Sequence, residues 1–419
     1  MGKFFVDTTP LRLYPEFRRV WIGAAVSAVG SQLAVVAVAY QVYRLTHSSL
    51  DVGLISLVQL GPSLVGSVLG GSIADAFDRR RLLLFTGSTM AVVSCGLALN
   101  AARHHPSLLL IYVLAGANAA LQGVDGPARQ ALLISIVERE LLISANALRQ
   151  LIGQVSQVLG PSLGGILLAA FGVEIVFFLN AGSFVVAVGA VLTVGAHPPL
   201  GGATRFGLRS IAEGFQFLKG RQAIQGCFIA DLNATILGMP TALFPALATV
   251  QFHGGAGTVG LLYAAPGAGA VVASAFSGWT RRIRRPGYAV CVAIVCWGVA
   301  LTAFGFARQV VLAFGLLAIA GGADVISAVF RSTIIQTETP DRLRGRLTSI
   351  QLAVVQSGPR LGNAEAGLVA AASSNQLSVV SGGLGCIVGI AIVARLMPRF
   401  IRYELGRDEH ETAAQPRGA

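Results

Sequence analysis

Five ionisable residues interrupt long apolar runs of this 419-residue chain and are the residues best placed to do chemistry. They are Asp231, Asp324, Glu365, Arg149 and Arg360. A charged side chain inside a bilayer-length apolar segment is costly unless it meets a partner or water, so such residues mark a substrate or proton pathway. We predict that Asp231 or Asp324, with Arg360 nearby, loads and releases a proton. Static pairing that holds helices together is the alternative interpretation.

Amide side chains accompany these charges at helical spacing. Gln150, Gln154 and Gln157 recur at i, i+4 and i+7 of one apolar run, and Gln356 and Asn363 share a face of another. A polar face inside a span is expected to point to a neighbouring helix or to a substrate cavity. An adjacent stripe on the first of these runs consists of Arg149, Gly153, Ser156 and Gly160.

A Gly-Pro-x-x-Gly element occurs in both of these apolar runs. The first copy contains Gly160, Pro161, Gly164 and Gly165, and the second contains Gly358, Pro359 and Gly362. Glycines permit close helix contact, and proline removes one helical hydrogen bond and favours a bend. The second copy carries Arg360 where the first has Ser162, so the copies are chemically unequal. An internal repeat of this size indicates a duplicated membrane protein. Helix packing with no bearing on transport is the alternative role for the element.

The composition requires a membrane. The chain is 54% hydrophobic and 12% charged, with a mean hydropathy of +0.70, and a spanning helix needs about 20 apolar residues. We predict an all-α membrane protein with 12 transmembrane helices in two pseudo-symmetric six-helix bundles. The predicted domains are an N-terminal bundle (1–195), a cytoplasmic linker with an interfacial amphipathic helix (196–222), a C-terminal bundle (223–398) and a cytoplasmic tail (399–419). Predicted helices 4 and 10 cover 108–124 and 310–330, which places Arg129 and Arg331 in loops.

The basic residues give the orientation. The formal net charge is +12, but most arginines fall at one set of helix ends, so the positive-inside rule puts both termini in the cytoplasm. This distribution favours a topology signal over nucleic-acid binding. The cysteines lie in apolar runs without metal-like spacing, and the chain shows no phosphate-binding loop or nucleophile constellation. We therefore expect no metal, no cofactor and no enzymatic activity.

The turn after the second apolar run contains Gly71, Asp75, Asp78, Arg79 and Arg80. It resembles the major facilitator superfamily, whose corresponding loop carries Gly-x-x-x-Asp followed by basic residues. By this resemblance, Asp75 and a basic partner form a latch that is made in one access state and broken in the other. The first Gly-Pro element resembles the signature of the superfamily's drug:proton antiporters. Those proteins often carry an arginine in helix 4 that is missing here, so Arg149 or the second-half acids would replace it.

Whole-chain likeness narrows the expectation to the enterobactin exporter branch of the superfamily. It is carried by the segments around Phe17, 45–48, 71–80, 260–266 and 336–346. The resemblance implies proton-coupled export of a siderophore or similar small amphiphile by alternating access, by a monomer in the bacterial inner membrane, in contact with lipid. Broad multidrug efflux is the alternative, and a non-transporting scaffold or sensor is a further one. Arg149 and Arg360 would attract an anion and the three acids a cation, so charge alone does not decide the substrate.

Overall fold

The computed structural model describes residues 7–195, 216–276, 278, 280 and 283–404. Within helices it describes no side chain at 72, 74, 75, 134, 341, 342, 344–346, 348, 349 or 352. The described residues are almost entirely helical and include no strand. The amphipathic helix that the sequence predicts in the linker lies largely outside the described residues.

Twelve long helices form the body of the described structure, and eleven of them are long and apolar enough to cross a membrane. The remaining one, α11, is equally long and carries several charged residues. The helices are α1 (Pro15–Thr46), α2 (Ser49–Ala76), α3 (Arg79–Ala101), α4 (Leu108–Ile136), α5 (Leu142–Phe171), α6 (Val173–Leu192), α7 (Gln222–Gln251, interrupted), α8 (Ala256–Ala275), α9 (Pro286–Phe306), α10 (Val310–Glu338), α11 (Asp341–Ala372) and α12 (Asn375–Leu396). Short helices at Thr9–Leu13 and Pro398–Ile401 flank them.

The helices pack as two six-helix bundles. In the first, α1 packs on α5 and α6, α2 on α4, and α3 on α4 and α6. In the second, α10 packs on α8 and α9, and α12 on α7 and α9. Two pairs join the bundles, α5 with α8 and α2 with α11. The pairs are related by the repeat, which confirms the predicted fold of two pseudo-symmetric bundles.

Helices α4 and α10 are longer than the sequence indicated. They continue to Ile136 and Glu338, so Arg129 and Arg331 are helical residues and the prediction that they lie in loops was wrong. The prediction assigned the polar residues at the ends of these two helices to loops. The helical hydrogen bonds continue because Asp125 and Ser327 satisfy the two arginines from one turn earlier.

Helix α7 is interrupted in its middle. Its α-helical part ends at Leu237, and Pro240–Leu243 forms a 3₁₀ turn before the helix resumes. Proline has no N–H, so it cannot continue the ladder of an α-helix interior. Neighbouring helices satisfy the groups that are freed: Trp297 Nε1 donates to the Gly238 carbonyl oxygen at 3.2 Å, and the Ala242 N–H donates to Asn363 Oδ1 at 3.0 Å. Irregular backbone inside a membrane protein is tolerated where protein groups pair it in this way.

The two Gly-Pro elements bring helices into close contact at equivalent places. A methyl group added at Gly160 would lie 2.3 Å from Gln32 Cβ of α1, and one at Gly358 would lie 2.2 Å from Thr235 Oγ1 of α7. Both α5 and α11 run through their prolines as continuous helices. Within each bundle, the element therefore fixes how this helix is rotated against the first helix of the same bundle.

The last position of each element faces the other bundle. Gly165 of α5 meets Gly260 of α8, where an added methyl group would lie 2.7 Å from the Gly260 Cα atom. Asn363 of α11 meets Gly53 of α2, where an added methyl group would lie 2.5 Å from the Asn363 carbonyl oxygen. These contacts close the bundles against each other on the side where α2 and α8 begin. We call that side the opposite face, and the side where α1 begins and α12 ends the terminal face.

Candidate functional site

A central cavity of about 200 Å³ lies between the two bundles. Helices α1, α2, α3 and α4 line it from the first bundle, and α7, α8 and α11 from the second. Its polar lining consists of Ser31, Ser56, Gln59, Asn118, Gln122, Thr241, Tyr263, Arg360 and Asn363. The Asn118 Oδ1 atom is shielded from solvent and has no hydrogen-bond partner among the described residues. A ligand that enters this cavity touches both halves of the chain at once.

Arg360 crosses the bundle interface at this cavity. Its Nη1 atom donates to Ser63 Oγ of α2 at 2.7 Å and to the Gln356 carbonyl oxygen at 3.4 Å. Arg360 has no ion-pair partner in the described part of the chain. The prediction that Arg360 lies next to the acids of the spans was wrong, because the guanidinium points to the first bundle. Its positive charge is thus directed at the ligand space.

Asn363 ties α11 to the interruption of α7. Its Oδ1 atom accepts from Thr241 Oγ1 at 2.6 Å and from the Ala242 N–H at 3.0 Å. The Tyr263 hydroxyl of α8 donates to the Thr241 carbonyl oxygen at 2.9 Å. Asn363 therefore lines the cavity and also holds the irregular backbone that forms one of its walls.

A second cavity, of about 420 Å³, lies within the first bundle and shares Ser31, Val35 and Gln122 with the central one. Its charged lining residues are Asp125, Arg129 and Arg149. Arg129 Nη2 lies 2.8 Å from Asp125 Oδ2, and Thr86 Oγ1 donates to Asp125 Oδ1 at 3.0 Å. Arg149 has no ion-pair partner among the described side chains. The joined cavities therefore carry a net positive charge.

The stripe of α5 that faces the cavity is not the glutamine stripe. The lining contains Arg149, Ile152, Gly153 and Ser156. In the described structure, Gln150, Gln154, Gln157 and Gln356 are not among the lining residues of either cavity. The physical reason is the glycine packing described above, since Gly160 must face α1, and that rotation turns the stripe of Gly160 and Arg149 to the interior. The helical spacing of Gly160 with Arg149 is the sequence signal that could have identified this face.

The acids of the second bundle form a separate cluster around Arg331. Arg331 Nη2 lies 2.7 Å from Asp231 Oδ1 of α7 and 3.7 Å from Asp324 Oδ1 of α10, and Nη1 donates to Ser327 Oγ at 2.6 Å. The side chains of Arg331 and Asp231 are 8% exposed, whereas that of Asp324 is 43% exposed. Two carboxylates thus share one guanidinium, and one of them is accessible.

Arg331 is the functional candidate that sequence reasoning missed. The sequence contains a signal for it, because Asp324, Ser327 and Arg331 recur at i, i+3 and i+7, the spacing of one helical face. The predicted helix ended at residue 330, so Arg331 was not recognised as part of that face. Glu365 does not join this cluster among the described contacts; it lies near Cys386 of α12. Of the three acids named from the sequence, two therefore meet at one arginine.

Arg129 and Arg331 occupy equivalent positions in the two halves. Each lies near the terminal-face end of its helix and binds the residue four positions earlier, Asp125 or Ser327. In the first half the counter-ion is that neighbour itself. In the second half the neighbour is neutral, and the carboxylates come from α7 and from one further turn of α10. The arginine is present in both halves of the repeat, whereas the number of carboxylates that surround it differs.

The turn between α2 and α3 is held by its own residues. Asp78 accepts the Arg81 N–H at 3.0 Å and caps α3, and Arg80 Nη2 donates to the Leu192 carbonyl oxygen of α6 at 3.0 Å. Arg79 is buried, and Gly71 faces open space. The Asp75 side chain lies outside the described residues, so the latch expected there stays a prediction.

The chain matches the family described as transmembrane secretion effector over residues 7–410. It belongs to this family, a branch of the major facilitator superfamily. The transporter is 32% identical over 394 residues to the enterobactin exporter EntS of Citrobacter koseri, covering 94% of each chain. It is 30% identical over 395 residues to the enterobactin exporter EntS of Escherichia coli, covering 94% of this chain and 95% of that one.

Solved structures of transporters share the fold. A bacterial homologue of the human lysosomal transporter Spinster aligns with a TM-score of 0.74 at 15% identity, over 96% of this chain and 100% of that one. The nucleoside transporter NupG aligns with a TM-score of 0.70 at 14% identity, over 92% and 98%. At such identities only the fold is shared. The family and its relatives identify a multi-pass membrane exporter of the major facilitator type, and not an enzyme.

Proposed function

We propose that this exporter carries an anionic, siderophore-like small amphiphile out of the cytoplasm through the cavities between its bundles. The observation that supports this substrate class is the separation of charges. Arg149 and Arg360 line the ligand space without ion-pair partners in the described structure, whereas Asp231 and Asp324 bind Arg331 in another part of the protein. A cationic ligand would meet net positive charge. The relatives named enterobactin exporters support the same class.

Alternating access is the proposed transport cycle. Close glycine contacts join the bundles at the opposite face, and the joined cavities lie between them and within the first bundle. In our proposal the terminal face is cytoplasmic, as the basic residues predict, so substrate enters from there. Rocking of the bundles then separates Gly165 from Gly260 and Asn363 from Gly53, which opens the cavity outward. The monomer contains both halves of this pathway.

The test of the substrate class is transport into inverted membrane vesicles that contain the full-length protein. We expect uptake of iron-free enterobactin, and we expect Arg149→Gln and Arg360→Gln each to lower it about tenfold or more, because one charge-assisted hydrogen bond is worth about 1.5–3 kcal/mol. The double variant Arg18→Gln/Arg19→Gln is the control, since it removes two exposed arginines outside both cavities.

Multidrug efflux, the alternative function, predicts a different outcome. Vesicles would then accumulate the cationic dye ethidium, and Arg149→Gln would leave that uptake unchanged or raise it. Transport of ethidium without transport of enterobactin would contradict the proposal. In cells, deletion of the gene is expected to lower secreted siderophore without changing susceptibility to cationic drugs.

Proton coupling is proposed to reside in the cluster of Arg331, Asp231 and Asp324. Because two carboxylates share one guanidinium, a proton can bind one of them when Arg331 moves closer to the other. Asp324 is the accessible member and Asp231 the buried one. A proton would thus enter at Asp324. The cluster connects α7 to α10, and α7 is the helix whose interruption forms a wall of the central cavity.

Replacing either carboxylate tests the coupling. We expect Asp231→Asn and Asp324→Asn to abolish the stimulation of uptake by a proton gradient, while substrate exchange between equal concentrations on the two sides continues, because exchange needs no net proton movement. Glu365→Gln is the matched control, since Glu365 lies in a span outside the cluster. If both asparagine variants kept gradient-driven uptake at the wild-type level, this mechanism would be excluded.

A further inference from the structure

A groove of about 1140 Å³ opens on the outer surface of the second bundle, between α8 and α9. Helix α10 packs against both of these helices and forms the floor. The groove is deep because small residues line it, among them Gly269 and Ala273 of α8 and Gly322 of α10. Val272 and Ile319 line it as well and are exposed. This surface lies in a membrane-spanning region, so hydrocarbon chains are what it meets.

The length of the groove corresponds to one leaflet. Along α9 its lining extends from Arg285 to Cys296. At about 1.5 Å per residue this is roughly 16 Å, or about half of the ~30 Å hydrocarbon core of a bilayer. The groove is therefore long enough for one acyl chain that starts at the terminal face and extends to the middle of the bilayer.

The end of the groove at the terminal face is polar and basic. Arg284, Arg285 and Tyr288 are exposed there, and the Arg285 side chain is 65% accessible. Arg285 Nε lies 2.7 Å from Glu404 Oε1, which orients the guanidinium and leaves its terminal N–H groups for another acceptor. Adjacent guanidinium groups bind a phosphate with several charge-assisted hydrogen bonds. Among the described residues, Arg284 and Arg285 bring two positive charges to this position and Glu404 brings one negative charge.

In the turn between α2 and α3 of the first bundle, Arg79 is buried, Arg80 donates to the Leu192 carbonyl oxygen and Arg81 alone is exposed. Arg284 and Arg285 differ in that both are exposed at the mouth of an apolar groove. The combination of a leaflet-long apolar channel and an exposed basic pair is therefore a property of the second bundle, and it matches a ligand with a phosphate at one end and a hydrocarbon chain at the other.

We propose that this groove is a binding site for an anionic phospholipid of the membrane. Its phosphate binds Arg284 and Arg285, and one acyl chain lies along α10 between α8 and α9. Bilayer lipids supply this ligand, so the site needs no other partner. Basic residues beside intramembrane grooves recognise anionic lipid headgroups through the same chemistry.

Native mass spectrometry of the purified full-length protein tests the charge recognition. The probes are phosphatidylglycerol and phosphatidylcholine with identical acyl chains, added at equal concentration in detergent. We expect the wild-type protein to retain phosphatidylglycerol about tenfold better than phosphatidylcholine, and Arg284→Gln/Arg285→Gln to lose most of this preference. The matched control is Arg18→Gln/Arg19→Gln, another exposed adjacent pair at the terminal face, and it should keep the preference. Equal retention of both lipids by the wild type would overturn the proposal.

A second variant tests the groove without changing charge. Cys296 is exposed and lines the inner end of the groove, so Cys296→Trp should fill the space of the acyl chain and lower phosphatidylglycerol retention several-fold. Val299→Trp adds the same ring at an exposed site of α9 outside the lining and should have no effect. Unchanged retention in Cys296→Trp, or full displacement of the lipid by inorganic phosphate at equal concentration, would show an anion site without an acyl-chain site and would reject the lipid assignment.

Discussion

Replacing Arg331 with glutamine is expected to lower the free energy of unfolding by about 3–5 kcal/mol, because it leaves a buried carboxylate without its counter-ion. The side chains of Asp231 and Arg331 are both 8% exposed, and Asp231 Oδ1 lies 2.7 Å from Arg331 Nη2. Without the guanidinium, Asp231 must either stay charged in a dry environment or bind a proton. The measurement is denaturant unfolding of the purified protein in detergent, followed by circular dichroism.

The same experiment contains its control in the other half of the repeat. Arg129→Gln removes the equivalent arginine, but Arg129 and Asp125 are 21% and 13% exposed and Thr86 still donates to Asp125, so we expect a loss of only about 1 kcal/mol. The double variant Arg331→Gln/Asp231→Asn should recover about 2 kcal/mol of the single-variant loss, since it removes the carboxylate whose side chain is only 8% exposed. Equal losses for Arg331→Gln and Arg129→Gln would contradict the assigned environment of Arg331.

The fold could be predicted because its signals are long and repeated. Apolar runs of bilayer length define the helices, and two copies of the Gly-Pro element define the halves. The positions of the helix ends were harder to predict, because a cytoplasmic helix extension and a polar loop have the same amino-acid composition. Extending α10 past Phe330 changes the surroundings of Arg331 from water to protein. Because the predicted end of α10 lay one residue before Arg331, the sequence did not identify Arg331 as the partner of Asp231 and Asp324.

Side-chain direction was the other limit. Among the described residues, Arg360 and Arg149 are the two cations that line the cavities without an ion-pair partner, but only the structure shows that Arg360 donates to Ser63 across the bundle interface. Similarly, the glutamine stripe and the Arg149 stripe of α5 begin at adjacent residues. Because an α-helix turns by about 100° per residue, the two stripes point in directions that differ by about 100°. The glycine contacts with α1 choose between them. Sequence patterns identify the faces of a helix, whereas tertiary packing decides which face meets the ligand.

The first and second halves therefore contribute different chemistry to one cavity. The first supplies Arg149 and most of the ligand space, and the second supplies Arg360 at the interface and the acid cluster behind it. The link between these parts is α7, which carries Asp231 before its interruption and Thr241 within it. In the proposed coupling mechanism, a change in the Asp231–Arg331 distance reaches the cavity through α7, whose backbone Asn363 and Tyr263 hold at Thr241 and Ala242.

Transport is expected to fall about 100-fold when Gly260 is replaced with valine. A methyl group at this position would lie 2.5 Å from the Gly165 Cα atom and 2.7 Å from the Pro161 carbonyl oxygen, so the two helix backbones cannot approach as they do here. Overpacking costs up to about 3 kcal/mol, which reduces the population closed at the opposite face by about 100-fold. The folded bundles should persist, because the clash lies between them.

Cysteine accessibility separates this trapping from misfolding. Val52 is buried, lies near the start of α2 and lines the central cavity. In a background without native cysteines, Val52→Cys should resist a membrane-impermeant thiol reagent applied at the opposite face, and adding Gly260→Val should make it react. Gly257→Val is the matched control on the same helix, since a methyl group there meets no atom within 4 Å, and it should transport normally. Normal transport by Gly260→Val would show that the glycine contact is not required for closure, whereas loss of transport with Val52→Cys still protected would indicate that the bundles fail to open for a different reason.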